Sequence, residues 1–149
     1  MIITTDDIKY INVEGLVVGI TSGCFDLFHY YHLKYLERCK ALCDFLIVGV
    51  DSDELVMANK NKTPMIPEHH RLSIINSLRC VDAVFTMNQL NDLDKFIEIG
   101  DILFKNSPNI YGSKVIGDGK IKLVIVPDII EANSTTKLIE KIQSKIHTE

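Results

Sequence analysis

The chain has 149 residues, of which 46% are hydrophobic and 24% are charged. This length is close to the commonest size of a single domain, and the balance of apolar and charged residues is that of a folded globular protein. The composition therefore excludes disordered, collagen-like and low-complexity chains. The net charge of −4 also excludes a broadly basic surface, so no nucleic-acid partner is expected.

The sequence shows no signal for a membrane protein or a secreted protein. The longest apolar runs, Leu16–Ile20 and Phe45–Val50, are too short to cross a bilayer, so no membrane partner is expected. Residues Met1–Asp7 lack the basic residues that open a secretory signal. The cysteines match neither a disulfide scaffold nor a zinc site: Cys24, Cys39, Cys43 and Cys80. We therefore expect a cytoplasmic protein with reduced thiols.

Short apolar runs alternate with segments of helical periodicity along the chain. The predicted strands are Leu16–Thr21, Phe45–Val50, Ala83–Thr86, Ile102–Phe104 and Ile121–Val126. The predicted helices are His29–Cys43, Asp53–Ala58, Glu68–Leu78, Leu93–Ile99 and Thr135–Ile146. Residues 1–14 are predicted as an N-terminal extension, either a dimer contact or a short helix over Thr5–Ile11, and residues 15–149 as one domain.

This alternation predicts an α/β fold, a doubly wound parallel sheet of five strands with helices on both faces. The predicted strands are apolar on both faces, as expected for strands covered on both sides. Ligands of such sheets bind outside the carboxyl ends of the strands, where the strand order reverses. The residues that follow the strands are therefore the candidates for chemistry.

Two histidines follow the first strand. His29 and His32 are three residues apart at a helix start, so their side chains are expected on one side of the helix. The free N–H groups of a helix start attract anions, and imidazole can donate hydrogen bonds to phosphate oxygens. We predict a phosphate site here. The alternative is a pair of partly exposed histidines on a surface helix.

The last helix is predicted to begin with a run of hydroxyl side chains, Ser134–Thr136. These hydroxyls and the N–H groups of the first turn could hold a second phosphate, or could serve only as a helix cap. Both helix starts are expected at the same edge of the sheet. One polyphosphate could then contact both.

Cations follow the second and fourth strands: Lys60, Lys62, Arg71 and Lys105. Directed to one edge of the sheet, they would neutralise a triphosphate. The alternative for Lys60 and Lys62 is a solvated position in the loop. Asp26 is predicted to accept backbone N–H bonds and to fix the turn that presents His29.

These motifs resemble those of the cytidylyltransferase-like nucleotidyltransferases, over nearly the whole chain from about Leu16 to Ile146. That family has a G-x-F-D segment, an H-x-G-H motif and a Ser-Thr-Thr helix start. The corresponding segments here are Gly23–Asp26, His29–His32 and Ser134–Thr136. The resemblance implies a Rossmann-like fold that transfers a nucleoside monophosphate from ATP or CTP to a phosphorylated small molecule. It also implies release of pyrophosphate, Mg²⁺ as the cofactor, and a homodimer.

The resemblance further implies roles for individual residues. His29, His32 and Lys60 would be catalytic, and Lys62 and Arg71 would contact the acceptor or the phosphates. The nucleotide would be bound by Gly23, Cys24, Phe25, His29, His32, Lys105, Ser134, Thr135 and Thr136. No side chain of the protein is expected to ligate the metal.

Other residues bear on the subfamily. The segments Asp101–Lys105 and Tyr111–Lys114 look like the sugar-phosphate adenylyltransferase domain that makes ADP-heptose, although Asn106 and Ser107 stand where that group has two glycines. A sugar phosphate is therefore the expected acceptor. A glycerol-3-phosphate cytidylyltransferase and an FMN adenylyltransferase, the latter suggested by Pro64–Arg71, are the alternatives.

The chain departs from the family pattern at Tyr31, which stands where H-x-G-H has glycine. A phenol ring here could block the nucleotide pocket, or could swing aside and stack on the base. A nucleotide-binding module without catalysis is therefore carried as an alternative. So is a small assembly protein in which the two helix starts are only caps.

Overall fold

The computed structural model describes residues 1–107, 121–127 and 135–147. Strands and helices alternate in this part of the chain. The strands are β1 Val18–Gly23, β2 Phe45–Asp51, β3 Ala83–Met87, β4 Ile102–Lys105 and β5 Lys122–Ile125. The α-helices are α1 Tyr30–Lys40, α2 Asp53–Lys60, α3 Glu68–Asn76 and α4 Thr135–His147, and two 3-10 helices cover Thr5–Tyr10 and Leu90–Phe96.

The five strands form one sheet in the order β3-β2-β1-β4-β5, and every pair of neighbours is parallel. The chain builds outward from β1 to β3 and then crosses to β4 on the other side of β1. The strand order therefore reverses between β1 and β4, and the crevice for ligands lies beyond their carboxyl ends. This architecture confirms the predicted doubly wound, Rossmann-like fold.

Helices cover both faces of the sheet because successive residues of each strand point to opposite sides. In β2, Ile47 packs into one apolar cluster, while its neighbours Leu46 and Val48 pack into the other. The first cluster includes Leu55 of α2. The second includes Leu36 of α1 and Ile75 of α3. Strands β1 to β4 therefore bury residues on both faces, which accounts for their continuous apolar runs. The edge strand β5 differs from the prediction, because Lys122, Leu123 and Ile125 are exposed in the described part of the chain.

The N-terminal extension packs against the outer edge of the sheet. Ile2 pairs with Val84 of β3 in a parallel bridge, and the Ile3 N–H donates to the Val84 carbonyl at 2.8 Å. Ile3 is buried in the same apolar cluster as the core strands. The extension thus covers backbone groups of the edge strand β3 that would otherwise be unpaired.

Several element boundaries differ from the prediction. The helix expected over Leu93–Ile99 is a 3-10 helix that begins at Leu90. The Asp92 carboxylate fixes this early start, because it accepts the backbone N–H groups of Asn88 and Gln89. Helix α1 ends at Lys40 rather than Cys43.

Candidate functional site

A strained loop connects β1 to α1 and carries the first motif. Phe25 and Leu27 both adopt positive φ angles, of 53° and 46°, which non-glycine residues rarely do. Asp26 stands between them, and its carboxylate accepts the N–H groups of Leu27, Met65 and Ile66 at 3.1, 2.9 and 3.0 Å. Asp26 therefore has the structural role predicted for it, and it also ties the loop to the segment before α3.

The two histidines cap the start of α1 through the same ring nitrogen. His29 Nδ1 accepts the Tyr31 N–H at 3.3 Å, and His32 Nδ1 accepts the His29 N–H at 3.2 Å. An acceptor nitrogen carries no proton, so each neutral ring has its proton on Nε2. This arrangement leaves both Nε2–H groups available as donors to a ligand.

The His29 and His32 rings are stacked, with centroids 4.1 Å apart, and Phe28 stacks on His32 at 5.4 Å. Burial lowers the pKa of both histidines, and His29 beside it further lowers the pKa of His32, to about 4. Both rings are therefore neutral near pH 7. His29 Nε2 is buried and has no hydrogen-bond partner among the residues that the structure describes. An unpaired buried donor is costly unless a ligand satisfies it, so this atom points to an acceptor from outside the protein.

Lys60 places a positive charge beside the histidines. It is the exposed last residue of α2. Its charge adds to the effect of burial in lowering the pKa of His32, and it opposes the rise that burial causes in the pKa of the Cys24 thiol. The structure thus brings His29, His32 and Lys60 together, as predicted. Lys62 lies two residues further along, exposed to solvent.

Asp51, the last residue of β2, was not among the predicted site residues. Its side chain is buried, and burial raises its pKa to about 6, although Lys60 and Arg71 oppose that rise. Its charge also acts on the Cys24 thiol, so the carboxyl group lies at the same edge of the sheet as the histidine loop. An acidic residue directly after a buried strand was the signal that could have identified it.

Asp51 and His32 are expected to affect the pH dependence of stability with opposite signs. Between pH 6.5 and 4 the unfolded chain protonates His32 but the folded chain does not, so acidification destabilises the fold. Between pH 6 and 4 the folded chain protonates Asp51 first, so acidification stabilises the fold. Between pH 6 and pH 4, the free energy of unfolding of Asp51→Asn should fall by more than that of the unmodified chain. The free energy of unfolding of His32→Asn should fall by less. Each slope should differ by up to ~1.4 kcal/mol per pH unit. Urea titrations at several pH values measure these slopes, and parallel curves for the three proteins would contradict the assignment.

The prediction that Arg71 contacts a substrate needs correction, because its side chain is fully buried. Its guanidinium donates to the carbonyl oxygens of Ile66, Cys24 and Asp51 at 2.8, 2.6 and 2.7 Å. It also forms an ion pair with Asp53 at 2.7 Å. Arg71 therefore joins the ends of β1 and β2 to the starts of α2 and α3, and its donors face the protein rather than a ligand.

The other predicted nucleotide contacts lie at the same edge of the sheet, to the extent that the structure describes them. Gly23 ends β1, and Cys24 and Phe25 follow it in the loop. Lys105 ends the neighbouring strand β4, half-buried, and burial lowers the pKa of its amine. Helix α4 begins at Thr135, as predicted.

Some predictions fall outside the described residues. Ser134 and the segment 111–114 do, as do the side chains of Thr135 and Thr136. The contact of α4 with a phosphate therefore stays a prediction.

Tyr31 lies directly against the first histidine. Its ring is half-buried and meets the His29 ring edge-on, with centroids 6.0 Å apart and an angle of 82° between the planes. The Tyr31 N–H donates to His29 Nδ1 in the cap of α1. The side chain that replaces the motif glycine thus occupies space next to the paired imidazoles.

Among residues 1–107, 121–127 and 135–147, no helix is both long and apolar enough to span a membrane. No group of three or more His, Cys, Asp or Glu side chains among them is arranged to hold a metal ion.

Comparison with known proteins identifies relatives over most of the chain. The bifunctional protein HldE of Nitratiruptor is 36% identical over 139 residues, which are 91% of this chain and 30% of that protein. The HldE of a Helicobacter pylori strain is 39% identical over 129 residues, which are 85% of this chain and 28% of that protein. This chain therefore spans less than a third of the length of these relatives.

A solved structure and a family model agree with this result. The lipopolysaccharide core biosynthesis protein from Thermoplasma volcanium superposes with a TM-score of 0.66 at 27% identity, covering 77% of this chain and 99% of that one. Residues 20–144 match the model of the cytidylyltransferase-like family, which confirms the resemblance predicted from the motifs. The chain belongs to the cytidylyltransferase-like family of nucleotidyltransferases.

Proposed function

We propose that the chain transfers a nucleoside monophosphate, AMP from ATP in preference to CMP from CTP, to a sugar phosphate and releases pyrophosphate. The observation that carries the proposal is the stacked pair of His29 and His32. Each ring has its Nδ1 engaged in the helix cap and its Nε2–H left for a ligand. The similarity to HldE proteins supports a sugar phosphate as the acceptor.

In the proposed reaction, an oxygen of the acceptor phosphate attacks the α-phosphorus of the triphosphate in line. The bond from the α-phosphorus to the bridging oxygen breaks, and pyrophosphate leaves with that oxygen. The protein forms no covalent bond. Its contribution is to position the reactants and to stabilise the charge that develops on the phosphate oxygens.

The chain's own groups fit these tasks. The Nε2–H groups of His29 and His32 would donate to oxygens of the α- and β-phosphates, and Lys60 would close over the phosphates from the end of α2. Lys105 and the first turn of α4 would hold the rest of the triphosphate. Mg²⁺ would enter bound to the triphosphate, as part of the substrate.

The test is a measurement of pyrophosphate release with ATP or CTP and a panel of phosphorylated acceptors. The panel contains hexose and heptose 1-phosphates, glycerol 3-phosphate and FMN. We expect release with ATP and at least one sugar phosphate. Release only with glycerol 3-phosphate or only with FMN would replace the proposed acceptor, and no release with any pair would exclude the activity.

Two neighbouring lysines provide a matched comparison. Lys60→Met should weaken ATP binding and slow turnover at least tenfold, because the Lys60 charge acts on the histidine site. Lys62→Met should change both quantities less than threefold, because Lys62 lies exposed beyond the end of α2. Equal effects of the two substitutions on Kd and kcat would remove Lys60 from the site.

A second candidate function follows from Tyr31, whose ring packs against His29. A ring in that place favours a module that binds a nucleotide without transferring it. Tyr31→Gly distinguishes the two functions by pyrophosphate release. A sharp rise in activity would mean that the natural site is impaired, and a fall would mean that the phenol belongs to a working pocket.

A further inference from the structure

The described residues include three buried aspartates, and two of them have clear structural roles. Asp26 accepts three backbone N–H groups in the loop before α1 and the segment before α3. Asp92 accepts two backbone N–H groups and lies near Lys95. Buried carboxylates are expected to be paired in this way, since an unpaired one loses its hydration without compensation.

Asp51 is the exception among the three. It is only 6% exposed, yet its carboxylate accepts no hydrogen bond and forms no ion pair within the described part of the chain. The local structure also does not depend on this carboxylate. Arg71 binds the Asp51 carbonyl oxygen, and the hydroxyl of Ser52, rather than Asp51, caps α2.

The position of Asp51 places this carboxylate at the ligand crevice. In the sheet, Gly23 of β1 pairs with Val50 of β2, so Asp51 stands one residue beyond that pair at the carboxyl edge. Lys60, Arg71 and Cys24 are the charged or thiol groups that interact with it electrostatically. The charge of Lys60 therefore acts on Asp51 as well as on the histidine site.

The charges around Asp51 indicate what it can bind. A carboxylate repels phosphate oxygens, so it is unsuited to the triphosphate. Lys60 and Arg71 would repel a cation brought to the same place, whether an ammonium group or a metal ion. The remaining partner is a neutral donor, and two adjacent hydroxyl groups match the two oxygens of a carboxylate.

We propose that Asp51 binds hydroxyl groups of the acceptor and thereby selects an acceptor that carries a polyol, such as a sugar phosphate. This inference rests on the proposed function and identifies a residue for its acceptor side. Asp51 is a binding residue for the acceptor, and the phosphoryl chemistry stays with the histidines and Lys60.

The experiment compares Asp51→Asn with Glu54→Gln, which removes one exposed charge from the first turn of the neighbouring helix α2. Pyrophosphate release is measured with ATP and the best sugar 1-phosphate of the panel. Asp51→Asn should raise the KM for the sugar phosphate about ten- to a hundredfold, and it should leave the KM for ATP within twofold. Glu54→Gln should leave both values within twofold.

Deoxy acceptors separate a direct contact from an indirect effect. If Asp51 binds one hydroxyl, the analogue that lacks this hydroxyl should bind the unmodified chain more weakly. With that analogue, Asp51→Asn should raise the KM only slightly further, because the contact is already lost. Equal increases in the KM for ATP and for the acceptor would overturn the proposal. The proposal would also be overturned if Asp51→Asn raised the KM for every deoxy analogue as much as it raises the KM for the intact sugar phosphate.

Equilibrium binding keeps the proposal testable without turnover. Mannose 1-phosphate is titrated into the protein in the presence of α,β-methylene ATP, with the unmodified chain and with Asp51→Asn. Weaker binding by the variant supports Asp51 even in a chain that does not transfer AMP. Absence of sugar-phosphate binding by the unmodified chain overturns the inference. If the chain transfers to glycerol 3-phosphate or FMN and Asp51→Asn leaves the KM for that acceptor unchanged, the role of Asp51 is overturned. The proposed nucleotidyl transfer would still stand.

Discussion

Replacing His32 by asparagine is expected to lower the rate of pyrophosphate release at least a hundredfold while α1 stays folded. The asparagine Oδ1 can occupy the place of His32 Nδ1 and accept the His29 N–H, so the cap is kept. The Nε2–H donor is lost. Loss of one such contact in the transition state costs about 3–4 kcal/mol, which corresponds to a hundred- to a thousandfold in rate.

The control for this substitution is His69→Asn, because His69 lies exposed on α3. Steady-state release of pyrophosphate gives the rate, and circular dichroism verifies the helix content of both variants. His69→Asn should retain the activity of the unmodified chain. If His32→Asn keeps more than a tenth of that activity, His32 has no part in the reaction.

Replacing Arg71 by methionine is expected to lower the free energy of unfolding by about 3–5 kcal/mol. Methionine fills much of the same volume but leaves three carbonyl oxygens and the Asp53 carboxylate without their donor. These groups lie in or beside the interior, where an unpaired acceptor is costly. Arg71→Lys should cause an intermediate loss in the free energy of unfolding, because an ammonium cannot reach all four acceptors at once.

Urea denaturation of Arg71→Met measures this loss, and Arg79→Met is the matched control. Arg79 is exposed, shortly after the end of α3, so its substitution should change the unfolding free energy by less than about 0.5 kcal/mol. A similar small change in Arg71→Met would show that the guanidinium does not hold the strand ends together.

The parallel sheet could be predicted from the sequence because its inner strands are buried on both faces. A run such as Phe45–Val50 has no polar side, and this pattern is typical of strands covered by helices on each side. The arrangement of the two histidines at the start of α1 was also predictable. A glycine at a strand end, followed by two histidines one helical turn apart, defines a local geometry that needs few distant contacts.

Arg71 shows where such reasoning fails. In sequence it is one more cation after a strand, and nothing in the local pattern marks it as a buried residue of α3. The structure buries Arg71 together with Ile75, because backbone carbonyls from three separate segments converge on its guanidinium. That convergence is a property of the tertiary structure, and no local pattern records it. Asp51 escaped notice for the complementary reason, since the sequence does not show which carboxylates lack a donor.

The way Arg71 is bound has a consequence for how this protein can change. At positions 24, 51 and 66 the guanidinium contacts main-chain oxygens, which every amino acid supplies. Substitution of the side chains at these three positions therefore keeps the hydrogen bonds of the Arg71 guanidinium. If Asp51 binds the acceptor as proposed, its side chain can be exchanged to alter acceptor preference while the architecture persists, and a saturation library at Asp51 is the experiment that follows.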